Sequence, residues 1–103
     1  MFAARVTHPL RPGALGAERA AFDAALALWS DFLARRPGLE SFTVLIEPHG
    51  ATLTAVSLWR AAEDFHATFQ QPDLAEAGGP LMAFFAAPSA PEFPTVLHHR
   101  RGG

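Results

Sequence analysis

The chain has 103 residues, which bounds it to a single domain, 1–103, with a limited core. Half of the residues are hydrophobic and 17% are charged, an apolar balance for a small monomer even with 21 alanines among them, and one explanation is burial against a partner. Eight arginines, no lysine and ten acids give a net charge of −2 with no basic stripe, so nucleic acid is not an expected partner, and the absence of cysteine excludes disulfides, thiolate catalysis and Cys-based zinc sites.

Met1 to Arg11 has no continuous apolar segment of signal-peptide type, and no apolar run approaches the ~20 residues of a membrane span. The expectation is a cytoplasmic protein with no membrane partner. Phe2 to His8 reads as a strand that alternates Phe2, Ala4, Val6, His8 against Ala3, Arg5, Thr7 and stops at Pro9. Leu10 to Gly16 is a loop. Ala17 to Arg36 is the strongest predicted helix, because Phe22, Ala25, Leu26, Trp29, Phe32 and Leu33 form one apolar stripe. Glu18 near its start and Arg35 and Arg36 near its end suit the helix dipole, and Pro37-Gly38 ends it.

Glu40 to Glu47 and Thr52 to Trp59 are predicted strands around a Pro48-His49-Gly50 turn, hence a hairpin. Phe42, Val44 and Ile46 share one parity, with Thr43 and Leu45 on the other. Leu53, Ala55, Ser57 and Trp59 likewise oppose Thr52, Thr54, Val56 and Leu58. An antiparallel sheet with one wet face would alternate more cleanly, so both faces are expected to be covered. Ala61 to Gln71 reads as a second helix with Ala62, Phe65 and Phe69 on one side. Gly78-Gly79-Pro80 should interrupt the segment after it, with a short third helical piece over Leu81 to Ala86. Phe93 to His99 reads as a final edge strand, and Arg100 to Gly103 as a tail. The order is β-α-β-β-α-(α)-β, which predicts an α+β, ferredoxin-like fold with a four-stranded antiparallel sheet and helices on one face. The other face would be bare, and a second copy of the sheet would cover it.

The sequence resembles the antibiotic biosynthesis monooxygenase domain family, within the dimeric α/β-barrel group. Arg36-Pro37-Gly38-Leu39 with Ser41, the hairpin turn, and Leu58-Trp59-Arg60-Ala61-Ala62-Glu63-Asp64-Phe65 carry the resemblance, which spans nearly the whole chain. It implies a homodimer forming a dimeric α/β barrel and a pocket between sheet and helices. It also implies oxygenation of an electron-rich aromatic or quinol with no cofactor, neither metal nor flavin. The family's oxygenases surround their substrate with Asn, Trp, Tyr or Arg; this chain contains no Asn and no Tyr. On alignment at Trp59, the second Trp of the haem-degrading branch falls near Thr68 and its haem-ligating His near Gly78, so haem degradation is not supported.

His8 and His66 are the candidate bases, since an imidazole titrates near working pH. His8 ends the first strand, where it either borders the pocket or faces water. His66 follows Phe65 on the second helix, turned about 100° away from the core side, towards either the pocket or the surface. Trp59 and Phe69 are candidate pocket walls for a small aromatic ligand, Trp59 alternatively closing the core. Trp29 lies on the apolar stripe, where core packing competes with substrate contact. Arg5 points to the opposite face, to pair with an acid across the dimer barrel or to orient an anionic substrate. Glu63 and His66 make a single Glu-x-x-His pair, too few ligands for a di-iron site, and the adjacent His98 and His99 point to opposite faces; no metal site is expected. There is no Gly-x-Ser-x-Gly elbow, phosphate loop or dinucleotide fingerprint. Two functions are compatible with these residues: a cofactor-independent monooxygenase, or a non-catalytic dimeric domain that binds a small ligand or is structural.

Overall fold

A computed structural model describes residues 1–49, 51–100 and 102. The elements run β1 (Phe2–Pro9), α1 (Arg19–Ala34), β2 (Leu39–Glu47), β3 (Thr52–Trp59), α2 (Ala62–Thr68) and α3 (Leu74–Met82). The sheet has the order β1-β3-β2, antiparallel at both junctions, so the hairpin strand β3 is central. No helix among the described residues is long and apolar enough to cross a membrane.

The register sorts the side chains. Val6 and Val44 both stand opposite Ala55, His8 and Ile46 opposite Leu53, and Ala4 and Phe42 opposite Ser57. These residues share the face that carries the helices, as their common parity predicts. The opposite face has no helix over it. There Thr7 and Thr43 are exposed, Leu45 is 56% exposed, and Val56 and Leu58 are half-buried.

The expected fourth strand over Phe93–His99 is absent: the described residues form three strands. Glu92 pairs with Arg5 through two backbone hydrogen bonds of 2.7 and 2.8 Å, and the ladder stops there. In an antiparallel pair the next hydrogen-bonded position would set residue 94 against Ala3, and Pro94 has no N–H to donate. Phe93 instead turns its ring onto Phe2 and Phe65, at 5.3 and 5.5 Å between centroids. The described residues beyond it belong to no strand or helix, and Leu97 is 96% exposed.

Helix boundaries also shift. The first helix is two residues shorter at each end than predicted, so Glu18 is its N-cap and Arg35 its C-cap, and no acid lies in its first turn nor any base in its last. Its stripe behaves as expected: Phe22, Ala25, Phe32 and Leu33 are buried. The predicted Ala61–Gln71 helix ends at Thr68, which leaves Phe69 as its C-cap and 43% exposed. The largest difference is α3, which runs through Gly78-Gly79-Pro80 rather than starting after them. Ala77, Gly78 and Leu81 are buried on its inner side, where Gly78 lies beneath the Trp29 indole. A Cβ on Gly78 would meet Trp29 Cζ3 at 3.2 Å, so the absent side chain allows α3 to approach α1 closely. Packing against α1 overrides the breaker signal. The hairpin forms where predicted; of its turn, Gly50 lies outside the described residues, as do Arg101 and Gly103 of the expected tail.

Gly38 is the residue this fold most needs to be glycine. Its φ of +86° is in the left-handed region, and an added Cβ would overlap the Asp64 carboxyl group. Its carbonyl accepts a 2.7 Å hydrogen bond from the Arg60 N–H, which ties the start of β2 to the end of β3. Gly38→Ala is expected to cost about 2–3 kcal/mol, from backbone strain and displacement of Asp64, measured as a lower urea midpoint at unchanged m.

Candidate functional site

The buried residues form two clusters. One joins Leu10, Ala14, Phe22, Ala25, Leu53, Leu81 and Phe84; the other joins Ala4, Phe32, Leu33, Trp59, Phe65 and Ala77. Trp29 packs on both. Between them, under the helices, lies a cavity of about 620 Å³, within the range of small-molecule sites. Residue size explains it. The middle of the floor is built from Ala4, Ala55 and Ser57, and the roof on α3 includes Ala75 and Gly78. Large side chains stand around these small ones: Trp29 and Leu33 from α1, Phe65 and Phe69 from α2, and Trp59 at the end of β3.

Few polar groups meet this apolar space. His8, on β1, lies flat against Phe85, with ring centroids 3.8 Å apart and planes at 4°. Phe85 is held there by its backbone, since Arg11 N–H donates to the Phe84 carbonyl and Ala86 N–H to that of Pro9, flanking a bridge between Leu10 and Phe85. The His8 Nδ1 atom is buried and has no hydrogen-bond partner among the described residues. Burial pushes the His8 pKa below its ordinary 6.5, because desolvation penalises the imidazolium. Ser57 and Ser89 supply the hydroxyls on the cavity wall. That of Ser57 accepts a 2.9 Å hydrogen bond from Trp59 Nε1–H.

The His8 shift has a consequence for stability. The unfolded chain binds the His8 proton at a higher pH than the folded one does, so stability should rise with pH up to about 6.5 and be lost as pH falls towards the lowered pKa. Urea unfolding across pH 5–8 checks this. The slope assigned to His8 should vanish in His8→Gln.

The structure brings some predicted site residues together and leaves others out. His8, Trp29, Trp59 and Phe69 all line the cavity. Trp59 is fully buried, so it is both core and wall. Trp29, half-buried, stacks on Phe32 at 5.5 Å and tilts towards Phe69 at 6.0 Å. His66 is exposed, set against Phe2 and Phe65 outside the cavity wall. Its neighbour Phe65 takes the inward position on so short a helix. Arg5 also contributes to the cavity lining, while its guanidinium pairs with Glu92 of its own chain, at 3.4 Å. The sequence does not single out Ser89 or Phe85, and it offers Ser57 only as a nucleophile without the elbow that would position it. Ser57 had a signal: a polar residue on the otherwise apolar parity Leu53, Ala55, Trp59. Phe85 and Ser89 had none, because only the return of residues 84–91 along β1 brings them to the site.

No protein-family model matches the sequence, and no curated protein matches it. Solved structures do match. A cofactor-independent oxygenase from Streptomyces nogalater, SnoaB in a mutant form, superposes with a TM-score of 0.78 at 20% identity, over 95% of this chain and 94% of that one. A protein of Bordetella bronchiseptica, provisionally named an antibiotic biosynthesis monooxygenase, gives 0.77 at 18% identity, over 94% and 97% of the two chains. One of the same provisional name from Nitrosomonas europaea gives 0.76 at 15%, over 95% and 100%. Many of the matching structures carry that name. At these identities the likeness establishes a shared fold over almost the whole chain.

Proposed function

We propose that this chain is a cofactor-independent monooxygenase of the antibiotic biosynthesis type, acting on a small aromatic or quinol-type substrate as a homodimer. One observation carries the reading: His8, whose Nδ1 is buried with no hydrogen-bond partner among the described residues, lines an apolar cavity large enough for such a substrate. A buried polar atom left unpaired in a folded protein calls for an explanation, and a ligand hydroxyl that it meets once the His8 ring turns towards the cavity is one. The fold shared with a structure named as a cofactor-independent oxygenase supports the same reading.

The chemistry asked of the protein is modest. With its proton on Nε2, neutral His8 accepts the phenolic proton at Nδ1. The carbanion-like anion that results gives an electron to molecular oxygen, the radical pair combines into a carbon-bound peroxide anion, and this takes the proton back from His8 to become a hydroperoxide. Loss of water then leaves a carbonyl: one oxygen atom enters the product and the other leaves as water, with the substrate CH₂ as the only reductant. Trp59, Trp29 and Phe69 hold the ring and keep water away from the reactive anion.

Oxygen uptake with a panel of anthrones and naphthoquinols, in the presence of a chelator and without added flavin, tests this. Saturable uptake of one O₂ per substrate, with one atom of ¹⁸O₂ in the product, is expected. A second reading, a non-catalytic ligand-binding domain, is favoured by the poverty of polar groups on the wall, where the Trp59 N–H is already bonded to Ser57. Saturable quenching of tryptophan fluorescence with no oxygen uptake would establish that reading instead. The homodimer rests on the uncovered sheet face with Leu45, Val56 and Leu58. Light scattering at micromolar concentration should give twice the 11.0 kDa chain mass, and a strictly monomeric mass would remove the barrel.

A further inference from the structure

A second space, of about 360 Å³, adjoins the cavity. Ala86, Ala87 and Pro88 form its outer wall. Its other walls are His8, Met82, Phe85 and Ser89, and all four also line the main cavity. The two spaces therefore adjoin, and the residues they share form the partition where they meet. That partition is the His8 ring lying flat on the Phe85 ring, flanked by Met82 and Ser89. It also carries two polar side chains, His8 and Ser89, whereas the rest of the larger space is lined by apolar residues apart from Ser57 and Arg5.

We propose that the two spaces are one bipartite site, whose ligand is an aromatic ring system with a short apolar arm on the carbon next to a ring hydroxyl. The sizes assign the parts, the ring system to the larger space and the arm to the smaller. The partition assigns the connection. A hydroxyl that donates to His8 stands at the boundary, so an arm that crosses the same boundary must leave the ring beside that hydroxyl. An arm on the far side of the ring would point away from the second space. The backbone around Phe85 is pinned to residues 9–11 by hydrogen bonds of 2.7 and 2.8 Å, so the arm passes by a turn of the Phe85 and Met82 side chains. Met82 is mostly exposed and unbranched, and turns readily. This rests on the reading of the cavity as an aromatic site; it does not require turnover.

The test is a tryptophan-fluorescence titration with 1-naphthol, 2-butyl-1-naphthol and 4-butyl-1-naphthol, which differ only in the presence and position of the arm. The 2-butyl isomer should bind about tenfold more tightly than 1-naphthol, the worth of burying about two of its methylene groups, and more tightly than the 4-butyl isomer. Ala87→Phe, which fills the outer space from an exposed loop position, should erase the difference between 2-butyl-1-naphthol and 1-naphthol. Ala87→Leu should reduce it. Equal tightening by both butyl isomers would mean a general hydrophobic gain and overturn the proposal. So would an advantage that survives Ala87→Phe, or failure of all three naphthols to bind. An ortho preference without oxygen uptake from any quinol would keep the bipartite site and overturn only the oxygenase reading.

Discussion

His8→Ala is expected to lower the rate of oxygen uptake by about 10²-fold or more, the usual worth of a positioned general base. The effect should fall on kcat rather than KM. The ring walls that bind the substrate come from β3, α1 and α2 and stay in place, whereas the acceptor for the phenolic proton is removed. His8 is suited to the task by its surroundings: burial pushes its pKa below the ordinary value, so the neutral form that accepts a proton predominates at pH 7. The acidic limb of kcat/KM should accordingly lie below pH 6.5. Folding should survive the change, because the loss is one ring stack with Phe85, worth about 0.5–1.5 kcal/mol, together with an unpaired buried nitrogen. Added imidazole should restore part of the rate. Full activity in His8→Ala would remove the base assignment, and a loss in His66→Ala instead would move the base to α2.

Trp59→Ala is expected to cost about 3–5 kcal/mol of folding stability, the usual loss on truncating a buried aromatic. A domain of this size has about 5–15 kcal/mol in all, so the variant stands near the edge of folding. Trp59 is wholly inaccessible to water and sits at the end of the central strand, opposite Phe2 on β1 and Leu39 on β2. Its ring meets the edge of Phe65 at 5.9 Å, so its loss detaches α2 from the sheet as well as opening a hole in the floor. Urea unfolding followed by circular dichroism measures the loss. Trp59→Phe should recover most of the packing, while leaving Ser57 without the indole N–H. A cost below 1 kcal/mol for Trp59→Ala would mean that the cavity floor is not the keystone its burial indicates.

Trp59 and His8 also show how differently the parts of this site were legible. Trp59 was marked by the family resemblance of the segment from Leu58 to Phe65, and His8 by its parity with Phe2, Ala4 and Val6. Parity alone left open whether His8 faced water or the pocket. The deciding residue is Phe85, about 77 residues along, laid over it by hydrogen bonds to residues 9–11. His66 lies outside the cavity lining for a related reason: a helix of seven residues has one inward side, and Phe65 and Thr68 occupy it.

The order of strands and helices, the hairpin, the apolar face of each strand and the stripe on α1 follow from the sequence by itself, because periods of two and of 3.6 residues record which side of an element is buried. The loss of the fourth strand was also latent there, in Pro94, but became readable only once Glu92 was seen against Arg5 and the register was known. The passage of α3 through Gly78-Gly79-Pro80, the cavity and the partition of His8 and Phe85 were decided by tertiary structure alone. Each depends on contact between residues far apart in the chain, Gly78 beneath Trp29 or Phe85 upon His8, and local propensity carries no information about such contacts.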